Sequence, residues 1–441
     1  MTEHRATMHI GDALQWLDAH VNLEAGASAE RRVAAPTLDR IESLTTLLGS
    51  PQLEYPAVHL TGTNGKTSVA RMTTELLLAA GLSVGSYTSP HLQRVNERMA
   101  WNGSPIDDDS LAGLLTTLAT VEQHVAERPS FFELLTAAAL EWFADVAVDV
   151  GVVEVGLGGR WDATNVVRGD VAVVTNVSID HVEYLGPTRE QIAAEKAGIV
   201  KPGSILVLGE TDPALAALFD DPDAARTVRR GVDFGVGSQR LAMGGRVVDL
   251  FTPSASYTDV FLPLHGAHQA DNAAIALAAA EAFAGVALSP ELVVEAFAAV
   301  RSPGRLEVVG HQPLVLLDGA HNVAGCQALR RALAEEFAES PRTLVIGLLR
   351  EKEPHEMLEA VDVAAAERVI CCRPPSPRAL DPAEVAAAAR DLGVPSDRVD
   401  VVDAVPDAIA RALAVTAEDG QIVVTGSLYV VGAARQVLGA Y

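Results

Sequence analysis

The 441-residue chain is poor in positive charge, with 33 Lys and Arg against 58 Asp and Glu and a formal net charge of −25. An acidic surface repels nucleic-acid backbones and anionic lipid, which argues against a polynucleotide substrate and against a membrane partner. Lysine is scarcer still: only Lys66, Lys196, Lys201 and Lys352 stand beside 29 arginines. Cys326, Cys371 and Cys372 are odd in number and lack C-x-x-C spacing, so neither a disulfide framework nor a zinc site is indicated. They read as small buried hydrophobes in a reducing cytoplasm. No apolar run reaches roughly 18 residues, and the N-terminus carries no apolar leader, so nothing directs the chain to export or into a membrane and a cytoplasmic location is expected.

At 49% hydrophobic residues, a chain of this length can bury a large core and is expected to form two or three domains. Its organising stretch is His59-Leu60-Thr61-Gly62-Thr63-Asn64-Gly65-Lys66-Thr67-Ser68. An apolar run (55–60) stops at two glycines and a lysine, and Val69, Met72, Leu76 and Ala80 then follow at helical spacing. Strand, tight loop and helix N-terminus together make a phosphate cradle: backbone N–H groups approach the oxygens, Lys66 neutralises them, and the Thr67 or Ser68 hydroxyl reaches Mg²⁺. Leu60 stands where the general P-loop pattern has its first glycine, so the plain alternative is a Gly-rich turn with a solvated lysine. In a chain that uses arginine for nearly all its positive charge, a lysine in that loop favours the chemical reading.

Beyond the cradle, apolar runs alternate with helical patterns, as in parallel βαβ units. A strand over 81–89 places Ser89 at a sheet edge where ligands collect. The run 149–156 is interrupted by Glu154, which belongs at a strand end facing a cation or a donor. The run 171–177 ends at Ser178-Ile179-Asp180-His181, and a helix starting near Thr188 carries Lys196. Shorter β segments fill 204–264, with Gly244-Gly245 as a hairpin turn, and an Ala-rich helix over 269–284 closes the first domain. Arg301-Ser302-Pro303-Gly304-Arg305 reads as the joint to a second, smaller α/β domain with strands at 314–318, 342–347, 368–371 and 421–425. Thr67, Ser89, Glu154 and His181 thus fall at strand ends or loops of one sheet, a set suited to Mg²⁺ with phosphate oxygens. Singly, His181 also suits a capping role, Ser89 a turn, and Lys196 a pair with Glu195 or Asp180.

The cradle string, Thr88-Ser89-Pro90-His91-Leu92, Glu154 through Asn165, Ser178 through His181 and Glu195-Lys196-Ala197-Gly198-Ile199 together resemble the folylpolyglutamate synthase/dihydrofolate synthase family of the Mur ligase superfamily. So do His265 through Gln269, Ser302 through Glu307 and Asp318-Gly319-Ala320-His321-Asn322, in the same order. The resemblance implies a P-loop-containing, mostly parallel sheet domain (1–300, with an N-terminal helical segment and folate pocket) and a Rossmann-like glutamate-ligase domain (301–441). It implies an ATP-dependent amide ligase that turns a folate or pterin carboxylate into an acyl phosphate, which the amino group of L-glutamate displaces. Dihydropteroate or a reduced folate would be the acceptor, and the protein a monomer.

By the same resemblance, Gly62, Thr63, Asn64, Gly65, Lys66, Thr67, Ser68, Asn272, Arg305 and Asp318 bind ATP. Thr67 or Ser68, Ser89 and Glu154 hold one Mg²⁺. His181 and a CO₂-carbamylated Lys196 serve a second. Lys66, Lys196, Arg305 and His321 act in catalysis, with domain closure preceding chemistry, and Ser130, Phe132 and Asp162 line the pterin pocket. The chain departs from many family members in having Thr67 after the cradle lysine and Gln269 where Asn is usual. Two other readings stay open: a different amino-acid ligase of the superfamily, and a P-loop regulatory module without ligase activity.

Overall fold

The computed structural model describes residues 7–22, 24, 37–337 and 340–440. The chain divides into two compact units. The first contains an eight-stranded sheet of β1 (Ala57–Thr61), β2 (Val84–Tyr87), β3 (Met99–Trp101), β4 (Ser104–Pro105), β5 (Val150–Glu154), β6 (Val171–Val174), β7 (Ile205–Leu208) and β8 (Arg226–Arg229). Their order is β4-β3-β2-β5-β1-β6-β7-β8. All neighbours from β2 to β8 run parallel, whereas β3 and β4 add antiparallel pairings at one edge.

β1, β5 and β6 lie inside this sheet and are buried along their whole length, which is why they read as unbroken apolar runs rather than alternating ones. Helices cover both faces. Leu134, Leu135 and Ala138 of the helix Phe131–Asp145 join one core with Tyr55 and Tyr87, while Ile192 and Ala193 of the helix Arg189–Lys196 join another with Ala172, Val174 and Leu206. Local chemistry starts these helices: Ser130 with Glu133, and Thr188 with Gln191, form reciprocal capping boxes.

β9 (Gly235–Ala242), β10 (Gly245–Phe251) and β11 (Ser256–Leu262) form a separate three-stranded sheet. The β9–β10 turn is Met243-Gly244, one residue earlier than the Gly244-Gly245 expectation, with Gly244 at φ +75°. Gly245 already belongs to β10, where a Cβ would stand 2.2 Å from the Leu262 carbonyl oxygen. The first unit ends on the helix Pro290–Ala299, not on the Ala-rich helix His268–Ala284. Its start was written in Ser289-Pro290, where the serine side chain caps Leu292 N–H and proline occupies the first turn.

The second unit contains β12 (Glu307–His311), β13 (Leu314–Leu317), β14 (Arg342–Ile346), β15 (Arg368–Arg373), β16 (Val399–Ala404) and β17 (Gln421–Thr425) in the order β12-β13-β17-β14-β15-β16. Only the β12–β13 pairing is antiparallel. Residues 240–247 and 262–269 cluster with this unit, although the sequence places them inside 1–300. Ion pairs tie them there: buried Arg246 donates to Glu335 at 2.9 Å and Glu336 at 2.7 Å, and His265 Nδ1 lies 2.7 Å from Glu336.

His59, in the middle of β1, is fully buried, and burial together with the Lys201 ammonium lowers its pKa to about 3. The unfolded chain therefore takes up this proton first. The contribution is complete above pH ~6.5 and declines toward pH 3, the loss by pH 5 amounting to about 2 kcal/mol. Urea unfolding of the wild type and His59→Gln at pH 8 and pH 5 is expected to show that much less acid destabilisation in the variant.

Candidate active site

The sheet order brings four carboxyl edges side by side: the segment after β2 with Ser89, the end of β5 with Glu154, the loop after β1, and the segment after β6 leading to His181. This is where open parallel sheets bind ligands. The cradle loop is fixed from β6. Thr63 N–H donates to Asn176 O at 3.0 Å, Asn64 N–H donates to Asn176 Oδ1 at 3.1 Å, and Thr175 Oγ1 donates to Asn64 O at 2.6 Å. Thr175 and Asn176 were not singled out in the sequence, yet a hydroxyl and an amide directly after an apolar strand were the available signal.

Two glycines allow the loop its path. A Cβ on Gly62 would lie 1.8 Å from Thr175 Oγ1, and one on Gly65, at φ +82°, would lie 2.5 Å from Asn272 Oδ1. Asn272 is thereby placed against the cradle. The helix Lys66–Ala79 begins at the lysine, so its N-terminal N–H groups and positive potential stand at the loop. Lys66 Nζ donates to Gly62 O at 3.0 Å and to Thr63 O at 3.3 Å.

Glu154 is 1% exposed. Its carboxylate accepts from Thr67 Oγ1 at 3.0 Å and from Ser89 N–H at 3.4 Å, so Thr67, Ser89 and Glu154 form one cluster. Ser68 is buried in the following helix. Two hydroxyls and a carboxylate are a hard-oxygen donor set that fits Mg²⁺ sharing its shell with phosphate oxygens.

Lys196, also buried, donates through Nζ to Gly62 O at 2.9 Å, the same carbonyl that receives Lys66. Burial and the neighbouring Lys66 ammonium lower its pKa to about 7, against the opposing pull of Asp180, Asp162 and Glu195. Lys66, Lys196, Asp180, His181, Gly62 and Gly156 line one pocket. His181 is held at φ +51°, with its N–H on Asp180 Oδ1 at 2.9 Å and Nε2 4.0 Å from Asp180 Oδ2. Asp180, 7% exposed, is a further pocket carboxylate, which in the sequence stands out only as a partner for Lys196.

Of the three residues expected to line a pterin pocket, Phe132 and Asp162 meet at Gly156-Leu157. The Phe132 ring lies where a Gly156 Cβ would come within 2.6 Å of it, and it packs on Tyr87 with ring centroids 6.1 Å apart. Ser130 accepts from Glu133 N–H at 3.2 Å as the helix cap. Asp162 caps the turn Ala163–Val166, accepting from Thr164 N–H at 3.0 Å, from the Thr164 hydroxyl, and from Leu157 N–H at 2.9 Å. Its carboxylate thus spends most of its accepting capacity on the chain itself.

In the second unit, Asp318 follows β13 and accepts from Leu306 N–H and Ala320 N–H, both at 2.9 Å. Burial pushes its carboxyl up while Arg305 opposes the shift. His321 Nδ1 lies 2.9 Å from Gly319 O. A carbonyl can only accept, so Nδ1 carries the proton there. No helix among the described residues is long and apolar enough to cross a membrane.

These features coincide with known families. Residues 60–280 match the Mur ligase middle domain and residues 304–428 match the Mur ligase glutamate ligase domain. The architecture is that of the Mur ligases. Within that class the chain belongs to the dihydrofolate synthase/folylpolyglutamate synthase family. It is 41% identical to the dihydrofolate synthase/folylpolyglutamate synthase of Mycobacterium tuberculosis, over 92% of this chain and 90% of that protein. It is 35% identical to the folylpolyglutamate synthase of Lacticaseibacillus casei, over 90% and 94%. Among solved structures, the Mycobacterium tuberculosis folylpolyglutamate synthase complexed with ADP superposes with a TM-score of 0.90 at 40% identity, covering 98% of this chain and 99% of that one.

Proposed function

We propose that the protein is an ATP-dependent ligase that adds L-glutamate to a folate or pterin carboxylate through an acyl phosphate. The observation that carries this reading is the convergence, at neighbouring strand ends, of a glycine cradle with Lys66, an oxygen cluster of Thr67, Ser89 and Glu154, and a buried lysine beside Asp180 and His181. A nucleotide-binding switch would need only the first of these.

The residues divide the labour as follows. Loop N–H groups and Lys66 hold the β- and γ-phosphates, and Asn272, seated on Gly65, contacts the nucleoside. Thr67, Ser89 and Glu154 would hold Mg²⁺, which would supply charge neutralisation at the phosphate oxygens; the contact of the Thr67 hydroxyl with the Glu154 carboxylate supports Thr67 in that role. The acceptor carboxylate attacks the γ-phosphorus with loss of ADP, and the glutamate amine then attacks the acyl carbon with loss of phosphate. Catalysis is positioning and electrostatic stabilisation.

Lys196 is the candidate for carbamylation. Its neutral amine attacks the carbon of CO₂, one C=O electron pair moves onto oxygen, and the amine loses a proton. The resulting carbamate and His181 would together hold a second Mg²⁺. Arg305, Asp318 and His321 are assigned to ATP and the acyl phosphate on the family resemblance, and Phe132 and Asp162 to the acceptor ring. Incubation with ATP, Mg²⁺, L-glutamate and either dihydropteroate or tetrahydrofolate is expected to raise the acceptor mass by one glutamyl residue; no product from either would count against the reading.

A further inference from the structure

A hydrogen-bond chain links Asp162 to His59 of β1 and to Thr164, two residues that the ligase reading leaves unused. His59 Nε2 is 2.9 Å from Thr164 Oγ1, and the Thr164 hydroxyl donates to Asp162 Oδ1. The other carboxylate oxygen of Asp162 accepts from Leu157 N–H at 2.9 Å. A hydroxyl has one proton to give. Because Thr164 gives it to Asp162, it must accept from His59, which fixes His59 as the Nε2–H tautomer. Nothing among the described residues bonds His59 Nδ1. Burial and Lys201, whose ammonium is itself engaged with Asn165 O at 2.8 Å, keep the imidazole neutral and thus in this single orientation.

The chain runs from the strand that feeds the cradle to the backbone at Gly156-Leu157, the segment on which Phe132 sits. We propose that His59 and Thr164 are positioning residues for the acceptor, holding the Asp162 carboxylate so that the Gly156-Leu157 wall keeps its fit to a flat heterocycle. The inference rests on the assignment of Phe132 and Asp162 to the acceptor. Neither His59 nor Thr164 touches substrate; both act through Asp162. The hydrogen-bond direction makes the Thr164 hydroxyl indispensable and its methyl dispensable.

Steady-state kinetics of the full-length protein with dihydropteroate or tetrahydrofolate, whichever is turned over, test this. Thr164→Val keeps the shape and removes both bonds. It is expected to raise the acceptor KM about tenfold or more while the KM for ATP and kcat stay within about threefold. Thr164→Ser restores the hydroxyl and is expected to return the acceptor KM to near the wild-type value, and it keeps the test decisive if Thr164→Val does not fold. Equal rises in all KM values, an unchanged acceptor KM in Thr164→Val, or a serine variant as impaired as valine would each overturn the proposal. Asp162→Asn separates the two layers. If it raises the acceptor KM while Thr164→Val does not, this inference fails and the pocket stands; if it too leaves the acceptor KM unchanged, the assignment of the pocket fails.

Discussion

Lys66→Met is expected to lower glutamate-dependent phosphate release by about 10²–10³-fold, the loss typical of removing one preorganised charge from a developing anionic centre. Methionine keeps the length and apolar stem of the side chain, so the loop is left without its ammonium rather than without its packing. In the folded protein that ammonium sits 3.0 Å from Gly62 O and 3.3 Å from Thr63 O, within the loop it serves. Those carbonyl contacts are weak ties in comparison with phosphate oxygens, and the same side chain can exchange one for the other. The variant should fold, as judged by an unchanged far-ultraviolet spectrum. An activity within a few-fold of wild type would remove Lys66 from the chemistry.

Lys196→Met is expected to reduce turnover by about 100-fold or more while leaving the protein at least as stable. The two effects have one cause. A buried ammonium beside Lys66 is disfavoured, and its pKa of about 7 lies far below the ordinary lysine value. Between pH 7 and the unfolded lysine's pKa the unfolded chain binds the extra proton, so stability rises with pH through that window in the wild type and not in the variant. Thermal melts at pH 7 and pH 9 read that difference. The proposed carbamate has its own test: degassed, CO₂-free buffer should slow the wild type, bicarbonate should restore it, and ¹³CO₂ should give a carbamate carbon resonance absent from Lys196→Met. A rate indifferent to CO₂, with no such resonance, would leave Lys196 a plain cation.

The parts of this protein that could be read in the sequence are those where one requirement dominates a stretch. β1, β5 and β6 are buried on both faces and so are continuous apolar runs; Lys66 stands out because lysine is rare. Edge strands were missed for the converse reason. β12 and β16 terminate the second sheet, carry half-exposed residues, and each contains or adjoins a register shift, so neither presents an apolar run. Contacts distant in sequence were equally invisible to spacing. Asn272 against Gly65, the Thr175-Asn176 brace beneath the cradle and the His59–Thr164 bond all join separate elements. Ser130 and Asp162 show a third limit. The family resemblance assigned them to ligand contact, while the structure gives both a capping duty that any such contact must share.

In the proposed reaction nucleotide cleavage is coupled to amide formation. Phosphate release from ATP by the purified protein with Mg²⁺ tests it most directly, measured with and without L-glutamate and with and without a folate or pterin acceptor. Release is expected only when acceptor and glutamate are both present, one phosphate for each glutamyl residue added. Release that continues unchanged when either co-substrate is omitted would contradict it and leave a nucleotide-hydrolysing module in its place.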